Sequence, residues 1–435
     1  MKTKQVAMGI TAAALALLTV ICSAAVCFAG QDDEAVNSAK LSSVLLPDEF
    51  EEDSYGLRGF ALSPDGQNMY LGFLHCMGQH PGQVSRYDTS TLEKTGEFIP
   101  YADPDISVDN MNCYPKGLAV DNRGFLYVGV THAETEYVSI FCVGSNLVEI
   151  SHIVESLGDV TGINGMAVQN IGDRILLYVL TCYDKDTIRC YDVTDPRNMK
   201  LYDGFGEGGV VDYNTLTGSQ RDPGYIAVDL DGNVYITCLM DDSGLRKGSH
   251  VLKLSPDGKT IVASKSIREA YGISFAGDYL FVSTYDDSKS AVYVLNKEDL
   301  SEVKKMSLSS QDYPLTGTGY SGNYLYVASQ GSESFGDAGE IFRTANELVI
   351  TRDPRETEKM DPGDYEVPLP TEAPTDAPDD PAVTADNNSS GNGDNNSSSE
   401  TSKSKWVPVL ITVCLVVIAI SAAAIIITAF KKKKK

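Results

Sequence analysis

Three absences narrow what this chain can do. No two cysteines stand as Cys-x-x-Cys, and the five histidines form no cluster with cysteine at metal-ligand spacing, which argues against a structural zinc site. Nor is there a Gly-x-Ser-x-Gly elbow to present a nucleophilic serine. Basic charge is scarce too. Thirty-five Lys and Arg face 60 Asp and Glu, a net charge of −25 that repels phosphate backbones, so nucleic acid is not an expected partner.

Charge is missing altogether from two runs, and these are read as the ends of an exported chain. Residues 6–29 are apolar, follow Lys2 and Lys4, and finish in Cys27-Phe28-Ala29, the layout of a signal peptide over 1–29. Residues 406–430 are uncharged and run straight into Lys431–Lys435. As a helix this run spans about 37 Å, enough for a hydrocarbon core of about 30 Å. Five lysines behind it mark the cytoplasmic side. The expectation is a single-pass type I protein of the cell membrane, with the C-terminal helix as its membrane partner and 431–435 as a basic tail. Apolar residues vanish between about 356 and 405, where Pro, Asp, Asn and Ser dominate. That stretch is read as a disordered stalk, spanning on the order of 40 Å.

Of nine cysteines, six lie outside these terminal runs: Cys76, Cys113, Cys142, Cys182, Cys190 and Cys238. An even number in an oxidising compartment permits disulfides, and Cys182 with Cys190, flanking the turn at 184–187, is the best candidate pair. The alternative is that all are small buried apolar residues.

What is abundant is repetition. Six segments share one pattern: Gly59-Phe-Ala-Leu-Ser-Pro-Asp-Gly66, Gly117-Leu-Ala-Val-Asp-Asn-Arg-Gly124, Gly165-Met-Ala-Val-Gln-Asn-Ile-Gly172, Tyr225-Ile-Ala-Val-Asp-Leu-Asp-Gly232, Gly272-Ile-Ser-Phe-Ala-Gly277 and Gly317-Thr-Gly-Tyr-Ser-Gly322. Each turns through glycine into a second β-rich stretch, the chemistry of a tight hairpin. Successive starts are 45 to 60 residues apart, near the length of a four-stranded blade, and no long helical pattern intervenes. These features predict an all-β, closed six-bladed β-propeller over 41–355. Residues 41–46 read as a strand that joins the last blade around 341–351 and clasps the ring.

The repeats resemble known families. Residues 117–130 and 225–237 resemble NHL-type repeats, Ser63-Pro64-Asp65-Gly66 and Ser255-Pro256-Asp257-Gly258 resemble the turns of YVTN-type surface propellers, and Tyr191-Asp192-Val193-Thr194-Asp195-Pro196 looks like an LVIVD repeat. The resemblance covers about 41–355 and implies the fold, not an activity.

In such a ring the residue before each inner-strand start approaches the central channel. Arg58, Lys116, Asn164, Gly224, Tyr271 and Thr316 hold these places, with His75, His132, Tyr183, Met240, Asp286 and Asp287 at the ends of the second strands. Arg58, His75, Lys116, His132, Asn164, Tyr271 and Asp286 are the candidate ligand-binding set. Cations, phenols and imidazoles suit a polar small molecule, a glycan or a protein at the channel mouth. No cofactor is implied. A gluconolactonase-like propeller would implicate metal ligands, a Glu, two Asn and an Asp, at these places. Only Asn164 matches, and Arg58 and Lys116 have the wrong charge to sit beside a dication. The expected function is therefore a surface-displayed binding or interaction module without a complete catalytic set. A metal-dependent hydrolase or lyase using His75, His132, Asp286 and Asp287 is the alternative.

Overall fold

The computed structural model describes residues 42–45, 56–74, 82–104, 113–133, 135–184, 186–218, 222–239, 249–285, 290–307, 314–322, 324–330, 340–345, 350–365 and 367. The expected leader, the 406–430 segment, the basic tail and most of the expected stalk lie outside these residues. Among the described residues no helix is long and apolar enough to cross a membrane.

The glycine-turned hairpins form as their sequence demands. Each inner strand pairs antiparallel with the next and turns on a glycine of positive φ, as at Gly66 (φ 72°) and Gly277 (φ 57°). A side chain there would be strained, and at Gly66 it would also meet the Ser321 hydroxyl. In two of the turns an aspartate completes the hairpin. Asp121 accepts from the backbone N–H of Arg123 and Phe125 and from the Tyr127 hydroxyl; Asp229 does the same for Asp231, Asn233 and Tyr235. One carboxylate thus satisfies two loop donors and a buried phenol.

Six sheets result. Blade 1 comprises Leu57–Leu62, Asn68–Phe73, Gln83–Asp88 and Lys94–Phe98. Blade 2 comprises Cys113–Val120, Leu126–His132, Tyr137–Val143 and Glu149–Ser156. Blade 3 is built on Thr161–Ile171, Arg174–Tyr183 and Thr187–Asp192, whose outer edge is shared by the short strands Lys200–Leu201 and Val210–Asp212. Blade 4 runs through Pro223–Val228, Val234–Cys238, His250–Leu254 and Ile261–Ser266; blade 5 through Ala270–Ala276, Tyr279–Thr284, Ala291–Asn296 and Glu302–Ser307. Blade 6 has Leu315–Ser321, Tyr324–Ser329 and Glu340–Ala345, and its fourth strand is Ser42–Leu45 from the start of the ring.

Closure is visible twice. Val44 pairs with Ile341 in the N-terminal strand's antiparallel register, so the first segment of the ring completes its last sheet. Apolar packing closes it independently: six core clusters lie between neighbouring blades, and one of them joins Leu57, Phe60 and Tyr87 of blade 1 to Tyr326 and Ile341 of blade 6. Each large apolar side chain so buried contributes about 1.5–3 kcal/mol. Outer strands such as Glu302–Ser307 carry charge and stay exposed or half-buried, which blunts the sheet edges.

Hydroxyls stitch the blades near the channel. Thr131 of blade 2 accepts from Ile163 N of blade 3, and Thr237 of blade 4 donates to Tyr271 O of blade 5.

Beyond the last strand the chain remains packed on the ring, through the end of the expected ring at 355 and into residues 356–365 and 367, read above as the start of the stalk. Asp353 caps a short 3-10 turn, Pro354–Glu356, in a reciprocal capping box with Glu356. The buried Glu356 carboxylate accepts from Gly277 N of blade 5 at 3.2 Å and from Arg352 at 2.8 Å. Asn122 of blade 2 then donates to Arg355 O and accepts from Met360 N; Tyr365 rests against Phe125 and Arg197, and Asn146 donates to Val367 O. The segment is a strap across the lower end of the ring. A channel cavity of about 200 Å³ lies at this end, with Arg352, Arg355 and Glu356 in its wall.

The six cysteines do not form the expected pair. Leu180 faces Ile188 in the register of blade 3, which sets Cys190 opposite Tyr178 and four residues away from Cys182, about 13 Å along the strand. Both are free, fully buried thiols, pushed up to about 12 by burial. Cys142 is also free and buried and Cys113 and Cys238 are buried, whereas Cys76 lies outside the described residues.

Candidate functional site

The upper end of the channel is shaped by one irregularity repeated in every blade. The pairing of inner and second strands slips once per blade: at Arg58, at Lys116, at Asn164, at Gly224 and Tyr225, at Tyr271 and Gly272, and at Thr316. A bulge leaves its extra residue unpaired and re-aims its side chain. The six positions expected to approach the channel are therefore the six bulges, and blade 4 adds Tyr225 because its bulge takes in two residues.

Tyr225 crosses the channel. Its hydroxyl donates to Arg58 O of blade 1 and lies 3.4 Å from Lys116 O of blade 2. The ring stacks edge-on against Tyr271 with centroids 5.3 Å apart, and Tyr271 packs at 5.0 Å against Tyr285. These three phenols surround the Arg58 side chain. Arg58 Nη1 donates to Tyr285 Oη at 3.0 Å, and that hydroxyl donates in turn to Gln330 Oε1 at 2.8 Å. Burial opposes the charge on Arg58, but the facing phenols and the Tyr285 hydrogen bond outweigh it and hold the guanidinium pKa above its ordinary value. Burial likewise raises Tyr225 and Tyr271, which stay protonated donors.

Lys116 points the other way. Its Nζ donates to Tyr183 Oη at 2.8 Å and sits 5.2 Å from the centre of that ring. Tyr183 is half exposed and held at φ 75°, a region that a tyrosine seldom occupies. Asn164 is nearly buried and bridges blades 3 and 4 through Pro223 O at 2.8 Å. Thr316 is fully buried, and its hydroxyl has no partner among the described residues.

The remaining candidates divide. His132 is not on the rim: it is fully buried inside blade 2, paired across the sheet with Cys113, with Nε2 2.7 Å from Ser139 Oγ. Burial lowers its pKa to about 4, so it is a neutral core imidazole. His75, Met240, Asp286 and Asp287 lie outside the described residues. Among the described residues no group of three His, Cys, Asp or Glu is placed to hold a metal ion. Nearby on blade 3, Asp186 is buried, with the Asn214 side chain beside its carboxylate. Burial, with Asp222, Asp212 and Asp184 adding repulsion and Asn214 opposing, raises it to about 7.

No family model matches the chain, and no curated protein does. Solved structures similar to it include a Dos1 propeller, at 10% identity and TM-score 0.40 over 67% of this chain and 78% of that one. A luciferin-regenerating enzyme is similar at 14% identity and TM-score 0.39, over 72% and 98% of the two chains. The PQQ-bound aldose sugar dehydrogenase of Streptomyces coelicolor is similar at 15% identity and TM-score 0.46, over 71% and 98%. The six sheets, not these likenesses, establish the propeller.

Tyr225, Tyr285 and Gln330 were not among the candidate site residues. Tyr285 and Gln330 each lie one residue past the last paired position of a second strand, beyond Thr284 and Ser329. That equivalence on adjacent repeats is the signal that finds them.

Proposed function

We propose that this protein is a surface-displayed, membrane-anchored propeller that binds a polar ligand at its upper channel mouth. The observation that carries the reading is the convergence of six bulges on one face, where Arg58 and Lys116 hold phenol partners in place of carboxylates. The anchor at 406–430, the leader at 1–29 and the polar stretch beyond the strap support display outside the cell on a type I anchor.

Binding is tested on the full chain in detergent micelles, by amide exchange against a panel of sugars, amino acids and short peptides. The reading expects a ligand that slows exchange at residues 57–59, 115–117 and 283–285. Protection confined to the outer strands would contradict it. Topology is tested by adding protease to intact cells: cleavage beyond residue 367 should release the ring, and a ring released only after lysis would contradict surface display.

A further inference from the structure

The Arg58 corner of the mouth has donors without acceptors. A guanidinium only donates, so Tyr285 Oη accepts from Arg58 Nη1 and spends its own proton on Gln330 Oε1. The amide nitrogen of Gln330 and the remaining N–H groups of Arg58 then have no partner among the described residues, and no described carboxylate lies within ion-pair distance of Arg58. Gln330, Tyr285 and Tyr271 are each 8% exposed, so these donors sit in a largely dry corner. The hydroxyl of Thr316, buried at the equivalent bulge of the intervening blade 6, also has no partner among the described residues.

A half-buried cation is costly without a counter-charge, and Arg58 has none among the described residues, although the chain carries 60 Asp and Glu. Arg58 instead faces phenols. We propose that Arg58 and Gln330 together bind the carboxylate of a small organic ligand. The guanidinium fork takes a planar carboxylate by two parallel hydrogen bonds, and the Gln330 amide supplies a third donor. Tyr271 and Tyr285 form an apolar wall that suits the carbon atoms next to the acid. One cation matches one negative charge, which favours a carboxylate over a phosphate dianion. Lys116, turned to Tyr183, does not add to this corner.

This inference rests on the reading that the upper mouth binds a polar ligand, and the test separates the two. The full chain is titrated calorimetrically with glucuronate and with an N-acetylated dipeptide acid, which distinguish an acid sugar from a peptide carboxylate. Glucose and the C-terminally amidated dipeptide are the neutral counterparts; sulfate and phosphate are the anion controls. At least one acid should bind, its neutral counterpart at least about tenfold more weakly, and Arg58→Gln should weaken the acid by at least about tenfold. Gln330→Glu places a carboxylate inside the corner; it should raise the melting temperature of the free protein and abolish acid binding, a readout that does not depend on Arg58→Gln folding. Equal binding of glucose or the amidated dipeptide would overturn the carboxylate while leaving the binding mouth intact. Tightest binding by phosphate or sulfate, an unchanged Arg58→Gln, or no binding of either acid would each overturn it as well.

Discussion

Tyr225 on blade 4 donates its hydroxyl to the carbonyl of Arg58 on blade 1, spanning the channel between blades that do not otherwise adjoin. One phenol thus floors the upper mouth, ties opposite sides of the ring together and fixes the backbone that presents Arg58. Below it the channel has a mixed lining, with Phe60, Leu118, Met166 and Ile226 beside polar groups such as Gln169, Ser274 and Thr318, down to the strap.

Tyr225→Phe keeps the ring's packing and removes the hydroxyl, leaving the Arg58 carbonyl short of a donor. The expected cost is about 1–2 kcal/mol, read as a lower midpoint in urea with an unchanged slope. A variant as stable as the parent would show that the hydroxyl does not span the channel.

Asp186 gives the ring a pH dependence of definite sign. Its pKa of about 7 in the fold stands above the ordinary 3.8, so the folded protein keeps this proton where the unfolded chain has lost it. Stability from this group therefore falls as pH rises between those values, and the full deficit is present above about pH 7. Asp186→Asn should raise stability by about 1–3 kcal/mol in mildly alkaline buffer and by nearly nothing in acid. Equal effects at both ends of the range would remove Asp186 as the source.

Glu356 holds the strap. Glu356→Ala leaves the Gly277 N–H and the Arg352 guanidinium without their acceptor, at an expected cost of about 1–3 kcal/mol. Amide exchange should quicken across residues 353–365 well before it does in the inner strands. Uniform quickening of the whole ring, or none, would contradict a separable strap.

The free thiols are checked by labelling. With no reductant present, an alkylating reagent should leave Cys142, Cys182 and Cys190 untouched in the native protein and modify all three once it is unfolded. Cys182 and Cys190 resisting modification in the unfolded chain would restore the disulfide.

Much of this fold is legible in the sequence because the repeat unit is a local structure. A glycine of positive φ ends each inner strand, so Val234–Cys238 and its counterparts can be placed to within a residue or two. The clasp at Ser42–Leu45 followed from the same counting, because blade 6 lacked a fourth strand. Details that turn on register were not legible. His132 is paired with Cys113 as the last residue of its strand and points into the blade, since one residue more or less of pairing reverses a side chain's face. The bulge at Gly224 and Tyr225 takes two residues where Arg58 takes one, and no composition signal distinguishes them. From residue 356 on the strap carries little apolar surface, so by hydropathy that part reads as stalk. Asp353-Pro-Arg-Glu356, a capping box in sequence, is the clue that it holds structure.

The mouth exists only if the ring is closed, and the Val44–Ile341 pairing tests closure most directly. Directly paired positions in an antiparallel ladder are close enough for a disulfide. Val44→Cys combined with Ile341→Cys should cross-link under mild oxidation and give one linked peptide pair by mass spectrometry. Val44→Cys combined with Thr344→Cys, three residues out of register, should not. Equal linkage in both variants, or none in either, would contradict a ring clasped by its own N-terminal strand.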